Sequence, residues 1–368
     1  MATTAARVAL GRFLENISSI QTYLGSRDPA PAICLAIKAD AYGHGALQIG
    51  ARAIESGVEW LSVATASEAL ALRGANIDAP LLVLSLPDAD EIALLIDLGV
   101  SCVVSDQWLI SRFATSAEAK KRGSKLHLAI DTGMGRIGCD PPHAAILAQR
   151  IVESDYLELE GVCTHLARAD DSPSFTREQI RRFDRCLAEI RAHGIDPGIV
   201  HAANSAGMLT QKNSWYDMVR PGILAYGYPP IPESTVHVEP IMEFVSKVVF
   251  LKRVPMGTPI SYGSTYETKT ETVIATVSAG YGDGYSRLLS SIGSVSIRGE
   301  RYPVVGRVCM DQFMVDVGVD SPVSLYDEVI LFGRDPAPDA AELAKLIGTI
   351  SYEITCGVGK RVSREYTE

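Results

Sequence analysis

The chain has 368 residues, 47% of them hydrophobic and 21% charged, which is enough for a large core and more than one domain. Its net charge of -10 and its 7% of aromatic residues argue against nucleic acid or an anionic membrane surface as a partner.

From about residue 30 to residue 228 the chain follows a repeating pattern in which short apolar runs alternate with segments of helical periodicity. The runs predicted as strands are 33–38, 60–65, 80–86, 100–105, 126–132, 157–165, 199–204 and 218–226. The segments predicted as helices include 46–56, 89–98, 142–154 and 175–194. Because parallel strands need crossover helices, the pattern predicts a parallel sheet, and eight units favour a closed (β/α)8 TIM-like barrel over an open sheet.

The pattern changes after Pro229-Pro230, where glycine and proline separate short alternating segments. Strands are predicted at 244–254, 271–277, 294–298, 301–308, 312–317 and 328–332, with a helix only at 340–347. We therefore expect an α/β barrel domain over residues 1–234 and a smaller, mostly β domain over 235–368. The first ten residues are candidates for pairing with the second domain.

No targeting or membrane signal is visible in the sequence. The first ten residues lack the pattern of a signal peptide, and no apolar run is long enough to cross a bilayer. The seven cysteines are scattered without a Cys-x-x-Cys pair, so we expect free thiols and neither disulfides nor a metal site. These features predict a cytoplasmic protein.

Lys38 is the first candidate for chemistry. It ends the first predicted strand, after the apolar run Ala32-Ile33-Cys34-Leu35. Burial disfavours the charged form of a lysine, and an amine of that kind commonly forms a Schiff base with a carbonyl substrate or with pyridoxal phosphate. The alternative is a lysine whose amine simply reaches the solvent from a strand end.

Further polar residues close other predicted strands, where the catalytic groups of barrel enzymes gather. They are Arg136, His165, His201, Asn204-Ser205 and Arg220. Each has a structural alternative, such as a loop cap or a core histidine, and the convergence on one rim favours a site. The backbone amides of Ser205, Gly222 and Ile223 are candidates to bind a phosphate, as the loops after strands seven and eight do in many barrels.

The predicted β domain carries three glycine-rich motifs. They are Ser261-Tyr262-Gly263-Ser264-Thr265-Tyr266, Gly280-Tyr281-Gly282-Asp283-Gly284-Tyr285 and Gly306-Arg307-Val308-Cys309-Met310-Asp311-Gln312. These motifs are candidates for a site, and the alternative is a set of tight turns whose tyrosines pack at an interface.

Taken together, the motifs resemble the bacterial-type alanine racemases, pyridoxal-phosphate enzymes that combine a barrel with a β domain. The resemblance covers nearly the whole chain. It depends on Ile37 to Gly45, Asp131 to Gly138, Thr164-His165, Asn204-Ser205, Arg220 to Ile223, Ser261 to Tyr266 and Cys309 to Gln312.

The resemblance implies roles for five residues. Lys38 matches the lysine that holds pyridoxal 5'-phosphate and acts as one acid/base group. Tyr262 matches the second acid/base group, which the partner subunit supplies. Arg220 matches the arginine facing the pyridine nitrogen, and His165 the histidine linking that arginine to the tyrosine. Arg136 matches the arginine near the cofactor phenolate and the substrate carboxylate.

The resemblance also implies which residues bind the phosphate and the substrate and which residues line the entrance to the site. The cofactor-binding set is completed by Tyr42, Asn204, Ser205, Gly222, Ile223 and Tyr352. Met310 matches a partner residue whose amide meets the substrate carboxylate. The entrance corridor matches Asp170, Tyr281 and Arg307. No metal is implied, and the expected active form is a homodimer with composite sites.

The resemblance predicts interconversion of L- and D-alanine by two bases on opposite faces of the α-carbon. An arginine at the pyridine nitrogen keeps its own proton and would leave that nitrogen unprotonated. The alternatives are a serine or broad-specificity racemase, a decarboxylase on the same barrel, and a non-catalytic carrier of the cofactor. Tyr352 would crowd the pocket for the substrate methyl group and so favours alanine over serine, although only weakly.

Two positions depart from the family pattern. Where the family often has a carbamylated lysine, this chain has Ala129, which cannot supply a negative charge to orient Arg136. A bound chloride, a nearby carboxylate or a neutral hydrogen-bond network are the hypotheses for its replacement. The first strand of the family is usually acidic, whereas the corresponding segment of this chain is Arg7-Val8-Ala9-Leu10-Gly11-Arg12.

Overall fold

Eight parallel strands close into a barrel in the computed structural model, which describes residues 3–368. Strand β1 (Ala5–Ala9) and helix α1 (Leu10–Leu24) precede them. The barrel strands are β2 (Ala32–Ala36), β3 (Trp60–Val63), β4 (Leu81–Val83), β5 (Ser101–Val104), β6 (Ser124–Ala129), β7 (Leu157–Cys163), β8 (Ile199–Asn204) and β9 (Met218–Arg220). Strand β9 pairs with β2 and completes the ring, so the predicted (β/α)8 barrel is confirmed and the open sheet is excluded.

Helical segments connect the barrel strands, as parallel pairing requires. They are α2 (Lys38–Tyr42), α3 (Ala46–Glu55), α4 (Ala66–Gly74), α5 (Ile92–Leu98), α6 (Gln107–Lys120), α7 (Ala144–Val152), α8 (Pro173–Ala192) and α9 (Ser205–Thr210). Helix α8 buries Ile180, Phe183, Leu187 and Ile190, whose spacing of three or four places them on one face. Within residues 3–368, no helix has both the length and the apolar character needed to cross a membrane.

The last barrel strand is shorter than its apolar run suggests. The prediction extended it to residue 226, but β9 ends at Arg220. Pro221 has no N–H to donate to a neighbouring strand. The following residues form turns instead, in which the Ala225 N–H donates to the Gly222 carbonyl at 2.9 Å. This early end places Gly222 and Ile223 at the rim of the barrel.

The last third of the chain, from residue 242 onward, forms a mostly β unit. Its strands are β10 (Met242–Val254), β11 (Pro259–Ile260), β12 (Tyr266–Glu267), β13 (Thr272–Val277), β14 (Ser294–Ile297), β15 (Glu300–Val305), β16 (Phe313–Asp316), β17 (Glu328–Phe332) and β18 (Ser363–Thr367). Two helices complete it, α10 (Ala340–Ile347) and α11 (Ser351–Cys356). The large sheet has the order β13-β16-β15-β14-β17-β10-β1-β18, and β10 also pairs with β13.

The first and last strands of the chain both join this sheet. Strand β1 lies antiparallel to β10 on one side and parallel to β18 on the other. Arg7 stands opposite Glu243 in the register, and its Nη1 donates to Glu328 Oε1 at 2.9 Å. The basic residue that departs from the acidic family pattern is therefore matched by acidic neighbours on the adjoining strands.

Gly227 lies where the chain leaves the barrel. A substitution of this glycine tests how tightly the backbone is packed at that point. Its φ is +93°, and a Cβ there would collide with the Glu239 carbonyl group. We expect Gly227→Ala to lower the free energy of unfolding by more than about 2 kcal/mol, because strain and overlap add. Chemical denaturation followed by circular dichroism measures the change.

Gly74→Ala is the matched control for this substitution. Gly74 ends α4, and nothing lies within 4 Å of a Cβ built there. The control should change stability by less than about 1 kcal/mol. Equal stability of the two variants would contradict the packing described for Gly227.

Candidate active site

Lys38 leaves the barrel at the start of a left-handed turn. The backbone φ angles of Ala39, Asp40, Ala41 and Tyr42 are 51°, 55°, 52° and 55°, although none of these residues is glycine. L-residues in a left-handed helix cost about 1–2 kcal/mol each. A strained conformation of this length needs support from its surroundings, and such clusters of strain are typical of functional sites.

Contacts from three directions hold the turn. The Ala39 N–H donates to Glu68 Oε1 at 2.6 Å, and the Ala46 N–H donates to Asp40 Oδ1 at 2.8 Å. From the C-terminal end of the chain, Arg364 Nε donates to the Gly43 carbonyl at 3.1 Å. A Cβ on Gly43 would collide with the Thr355 carbonyl, which shows how closely α11 packs here. The turn that presents Lys38 is thus fixed by both halves of the chain.

A cavity of about 430 Å³ opens beside this turn. The structure brings Lys38 together there with all of the other residues predicted to bind the cofactor. The residues that were predicted for the site and that line this cavity are Lys38, Tyr42, Arg136, His165, Asn204, Ser205, Arg220, Gly222, Ile223 and Tyr352. Glu68 and Cys356 also line it and were not predicted.

The amine of Lys38 has a lowered pKa. Burial is the largest cause, and the positive charges of Arg136 and Arg220 add to it, whereas Glu68 acts in the opposite direction. A larger fraction of the amine is therefore unprotonated near neutral pH than for an ordinary lysine. An unprotonated amine is the form that attacks a carbonyl group.

Arg220 is buried, and its guanidinium group makes four hydrogen bonds. Nη1 contacts His201 Nδ1 at 2.6 Å, and Nη2 contacts His165 Nδ1 at 3.2 Å. Nη2 also donates to the carbonyls of Thr164 at 2.9 Å and Ala202 at 3.1 Å. Burial and the charges of Arg220, Arg136 and Lys38 lower the pKa of His165 to about 3, so His165 is neutral and its Nδ1 accepts from Arg220.

The opposite end of the cavity is built from Ser205, Gly222 and Tyr42. The Gly222 N–H donates to Ser205 Oγ at 2.9 Å and is therefore not free toward the cavity. A Cβ on Gly222 would lie 2.6 Å from the Tyr42 hydroxyl, so the glycine makes room for that group. The ring centroids of Tyr42 and Tyr352 are 5.7 Å apart. Asn204 caps α9 by accepting from the Gly207 N–H at 2.9 Å.

Arg136 follows a loop that Asp131 shapes, since its carboxylate accepts the N–H groups of Gly133, Met134 and Gly135. Ala129 lies in a neighbouring cavity of about 190 Å³, which Lys38, Arg136 and Arg220 also line. Among the described residues that line this second cavity there is no aspartate or glutamate. The described residues of the cavity next to Ala129 therefore offer no carboxylate, and the acidic residue that shares a cavity with Arg136 is Glu68.

The residues predicted from the β motifs form a second, exposed cluster. Tyr262 and Met310 are 72% and 53% exposed. Ser261 Oγ donates to the Arg307 carbonyl at 2.6 Å, and the Tyr281 N–H donates to the Cys309 carbonyl at 3.0 Å. The groove lined by Tyr262 shares no residue with the Lys38 cavity.

The three predicted entrance residues are divided between these two regions. Asp170 lines a depression beside the barrel rim together with Met134, His165 and Tyr352. Tyr281 and Arg307 lie in the exposed cluster, to which the two hydrogen bonds just described connect them. One chain alone does not bring the three together.

Besides Cys356, three polar residues at or below the cavity, Glu68, His127 and Glu160, were not predicted from the sequence. Glu68 was recognisable, because Thr65 and Glu68 form a capping box at the start of α4. His127 and Glu160 interrupt the apolar strands β6 and β7, and that interruption was the available signal. Their contacts depend on strand register, which the sequence pattern does not supply.

Comparison of the sequence with known protein families gives two matches that together cover most of the chain. The family model of the alanine racemase N-terminal domain matches residues 8–230, and that of the alanine racemase C-terminal domain matches residues 241–366. The chain belongs to the alanine racemase family.

Individual members of the family resemble the chain over its whole length. The alanine racemase of Treponema denticola is 42% identical, and the match covers 100% of this chain and 99% of that protein. The solved alanine racemase of Clostridium difficile 630 has a TM-score of 0.93 at 34% identity, over 100% of this chain and 96% of that one. The solved alanine racemase from Bartonella henselae, with covalently bound pyridoxal phosphate, has a TM-score of 0.89 at 27% identity, over 100% of both chains.

The electrostatics of Lys38 can be tested with Arg136→Gln. Removing this positive charge should raise the pKa of the Lys38 amine, because a neighbouring cation disfavours protonation. Labelling of Lys38 by an amine reagent should then be slower at neutral pH and should recover at higher pH. Mass spectrometry of the cofactor-free protein over a pH series measures this shift.

Arg150→Gln is the matched control, because Arg150 is an exposed residue of α7 outside the cavity. The control should leave the labelling profile of Lys38 unchanged. An unshifted profile in Arg136→Gln would show that Arg136 does not act on the amine.

Proposed function

We propose that the protein interconverts L-alanine and D-alanine with pyridoxal 5'-phosphate as cofactor. The observation that carries the proposal is the cavity in which the Lys38 amine, with its lowered pKa, faces the buried Arg220 and the Ser205–Gly222 end. Membership of the alanine racemase family supports the same activity. The free cysteines of the chain are consistent with a cytoplasmic enzyme.

The donor set of the cavity suits this cofactor. Lys38 would hold it covalently, Arg220 would face its ring nitrogen, and Tyr42, Tyr352, Ser205 and the backbone near Gly222 and Ile223 would bind its phosphate. The absent Cβ of Gly222 lets the Tyr42 hydroxyl approach the Gly222 backbone, which gathers the groups that would bind the phosphate at one end of the cavity. When bound, pyridoxal phosphate supplies an electron sink that acidifies the α-proton of an amino acid.

The protein groups supply the proton transfers. Lys38 Nζ takes or returns the α-proton on one face, and Tyr262 Oη does so on the opposite face, so that the substrate is inverted without being turned. Arg136, one of the cations lining the cavity, would bind the substrate carboxylate. Arg220 donates through both Nη atoms and cannot lose its proton near neutral pH.

A second copy of the chain would complete the site. Tyr262 and Met310 are largely exposed in one chain, and the groove that Tyr262 lines together with Cys309 is separate from the Lys38 cavity. A twofold dimer that places this groove against the partner's cavity would form two composite sites. The same arrangement would bring Tyr281 and Arg307 to the entrance beside Asp170. The proposed partner is therefore an identical chain, and the small-molecule substrate is alanine.

Alanine is the proposed substrate because Tyr352 narrows the cavity. Its ring packs against Tyr42, and burial together with Asp170 raises the pKa of its hydroxyl to about 12, so the group stays neutral. A neutral wall next to the substrate side chain suits a methyl group. Serine is the second candidate, since an added hydroxyl is rejected only weakly by such a wall.

Isotope exchange tests the activity directly. Purified protein with pyridoxal phosphate and L-alanine in deuterium oxide should lose the α-proton signal and form D-alanine, as read by NMR and chiral chromatography. L-serine in a parallel sample should react more slowly. Exchange without inversion would indicate that only one acid/base group works. An absence of exchange would refute the racemase and leave a carrier of the cofactor.

Complementation tests the composite site. Lys38→Ala and Tyr262→Phe should each abolish racemisation as homodimers, because each removes one of the two bases. After random mixing, half of the dimers are heterodimers with one intact site, so we expect about a quarter of the wild-type activity. If Tyr262 acted within its own chain, the mixture would stay inactive. Lys38→Ala taken alone through the same mixing procedure serves as the control.

A further inference from the structure

A line of four buried polar side chains crosses the barrel interior from Arg220. Arg220 Nη1 contacts His201 Nδ1 at 2.6 Å, and His201 Nε2 contacts His127 Nδ1 at 2.8 Å. His127 Nε2 in turn contacts Glu160 Oε2 at 3.1 Å. His127 and His201 are completely buried, and the side chain of Glu160 is only 8% exposed. We refer to Arg220, His201, His127 and Glu160 as the polar chain.

The strands are shaped to admit these rings. His127 on β6 stands opposite Gly161 on β7, where the register of the two strands shifts. A Cβ on Gly161 would lie 2.5 Å from His127 Nδ1 and 2.5 Å from the Ile199 carbonyl oxygen. The glycine therefore makes the space in which the His127 ring meets His201.

The chemistry of its ends gives the polar chain a single direction. A guanidinium group has only donors, so His201 Nδ1 must accept and the proton of a neutral His201 is on Nε2. That proton is donated to His127 Nδ1, which leaves the His127 proton on Nε2, pointing at Glu160. Every donor then faces an acceptor, and protonating either ring would place two N–H groups against each other.

The outer end is held by an ionised carboxylate. Burial alone would raise the pKa of Glu160, but hydrogen bonds from His127, Lys125 and Ser101 outweigh it and lower the pKa to about 2. Lys125 Nζ donates to Glu160 Oε1 at 2.7 Å. Burial and the charge of Arg220 lower the pKa of His201, which agrees with the neutral form that the geometry requires.

We propose that Glu160, through His127 and His201, is a positioning residue that fixes the orientation of the Arg220 guanidinium below the cofactor cavity. The carboxylate accepts the His127 Nε2 proton, His127 Nδ1 accepts the His201 Nε2 proton, and both rings are thereby held in place with His201 Nδ1 as the acceptor for Arg220 Nη1. The other contacts of Arg220 involve only Nη2, so the polar chain is what anchors Nη1. The proposal rests on the proposed function of Arg220 as the group facing the cofactor nitrogen.

Nitrogen-15 NMR of histidine-labelled protein tests the tautomers without measuring activity. The chain has seven histidines, and His127→Gln and His201→Gln assign the two signals. Both rings should be neutral with the proton on Nε2, in the cofactor-free and in the loaded protein. A proton on Nδ1 of either ring, or a doubly protonated ring, would overturn the proposal.

Substitutions of Glu160 test the positioning role in the loaded enzyme. Glu160→Gln keeps an acceptor for His127, so it should retain most of kcat. Glu160→Leu removes the acceptor and should lower kcat about 10- to 100-fold with little change in KM for alanine, as losses of outer hydrogen-bond partners do at other sites. Glu158→Leu is the matched control, because Glu158 is an exposed residue of the same strand.

The outcomes separate this proposal from the proposed function. Wild-type kcat in Glu160→Leu, or equal losses in Glu160→Gln and Glu160→Leu, would overturn the positioning role. Expected tautomers in a protein that does not racemise alanine would refute the racemase activity and leave the polar chain intact. Glu160→Leu leaves the His127 Nε2–H without its acceptor, and Glu160→Gln supplies one again, so only Glu160→Gln should keep the nitrogen signal of a hydrogen-bonded His127 Nε2–H.

Discussion

The left-handed turn after Lys38 is the constraint on which the rest of the site depends. Four successive L-residues with positive φ would not persist in isolation, because each costs about 1–2 kcal/mol. Glu68 holds the turn from the barrel side, and Arg364, a residue of β18, holds it from the other. Since β18 pairs with β1, the position of the amine depends on both ends of the chain being in the sheet. The β unit is therefore part of the machinery that presents Lys38, even before any second subunit is considered.

This geometry also determines the charge of the cavity. Lys38, Arg136 and Arg220 line it together, and Glu68 is the acidic residue among the described residues that line it. Two of the cations lower the pKa of the third, so the same cluster that would attract the proposed anionic cofactor and the substrate carboxylate keeps the lysine partly unprotonated. Ala129 is compatible with this balance, because a carboxylate at its position would reduce the positive charge that depresses the pKa of Lys38.

The sequence predicted the barrel because eight apolar runs with helical segments between them allow few other arrangements. It predicted the rim residues for the same reason, since Lys38, His165 and Arg220 each close a strand. It did not predict β18, whose polar sequence Ser363-Arg364-Glu365-Tyr366-Thr367 has no strand signal at a sheet edge. Nor did it predict the left-handed turn, because no glycine occupies residues 39–42. The roles of Tyr262 and Met310 stay predictions, since they concern a second subunit.

The polar chain beneath Arg220 explains why a barrel core contains so many charged and polar groups. Apolar side chains of similar volume would fill the same space at least as stably, because burying charges is costly even when they are paired. Apolar groups cannot, however, fix the rotation of a guanidinium, whereas a directed series of hydrogen bonds can. Arg220 has carbonyl acceptors for Nη2 alone, so without His201 its Nη1 would be buried and unpaired. Stability thus favours an apolar core at this level of the barrel, and the requirement for a fixed Arg220 favours the polar one that the structure contains.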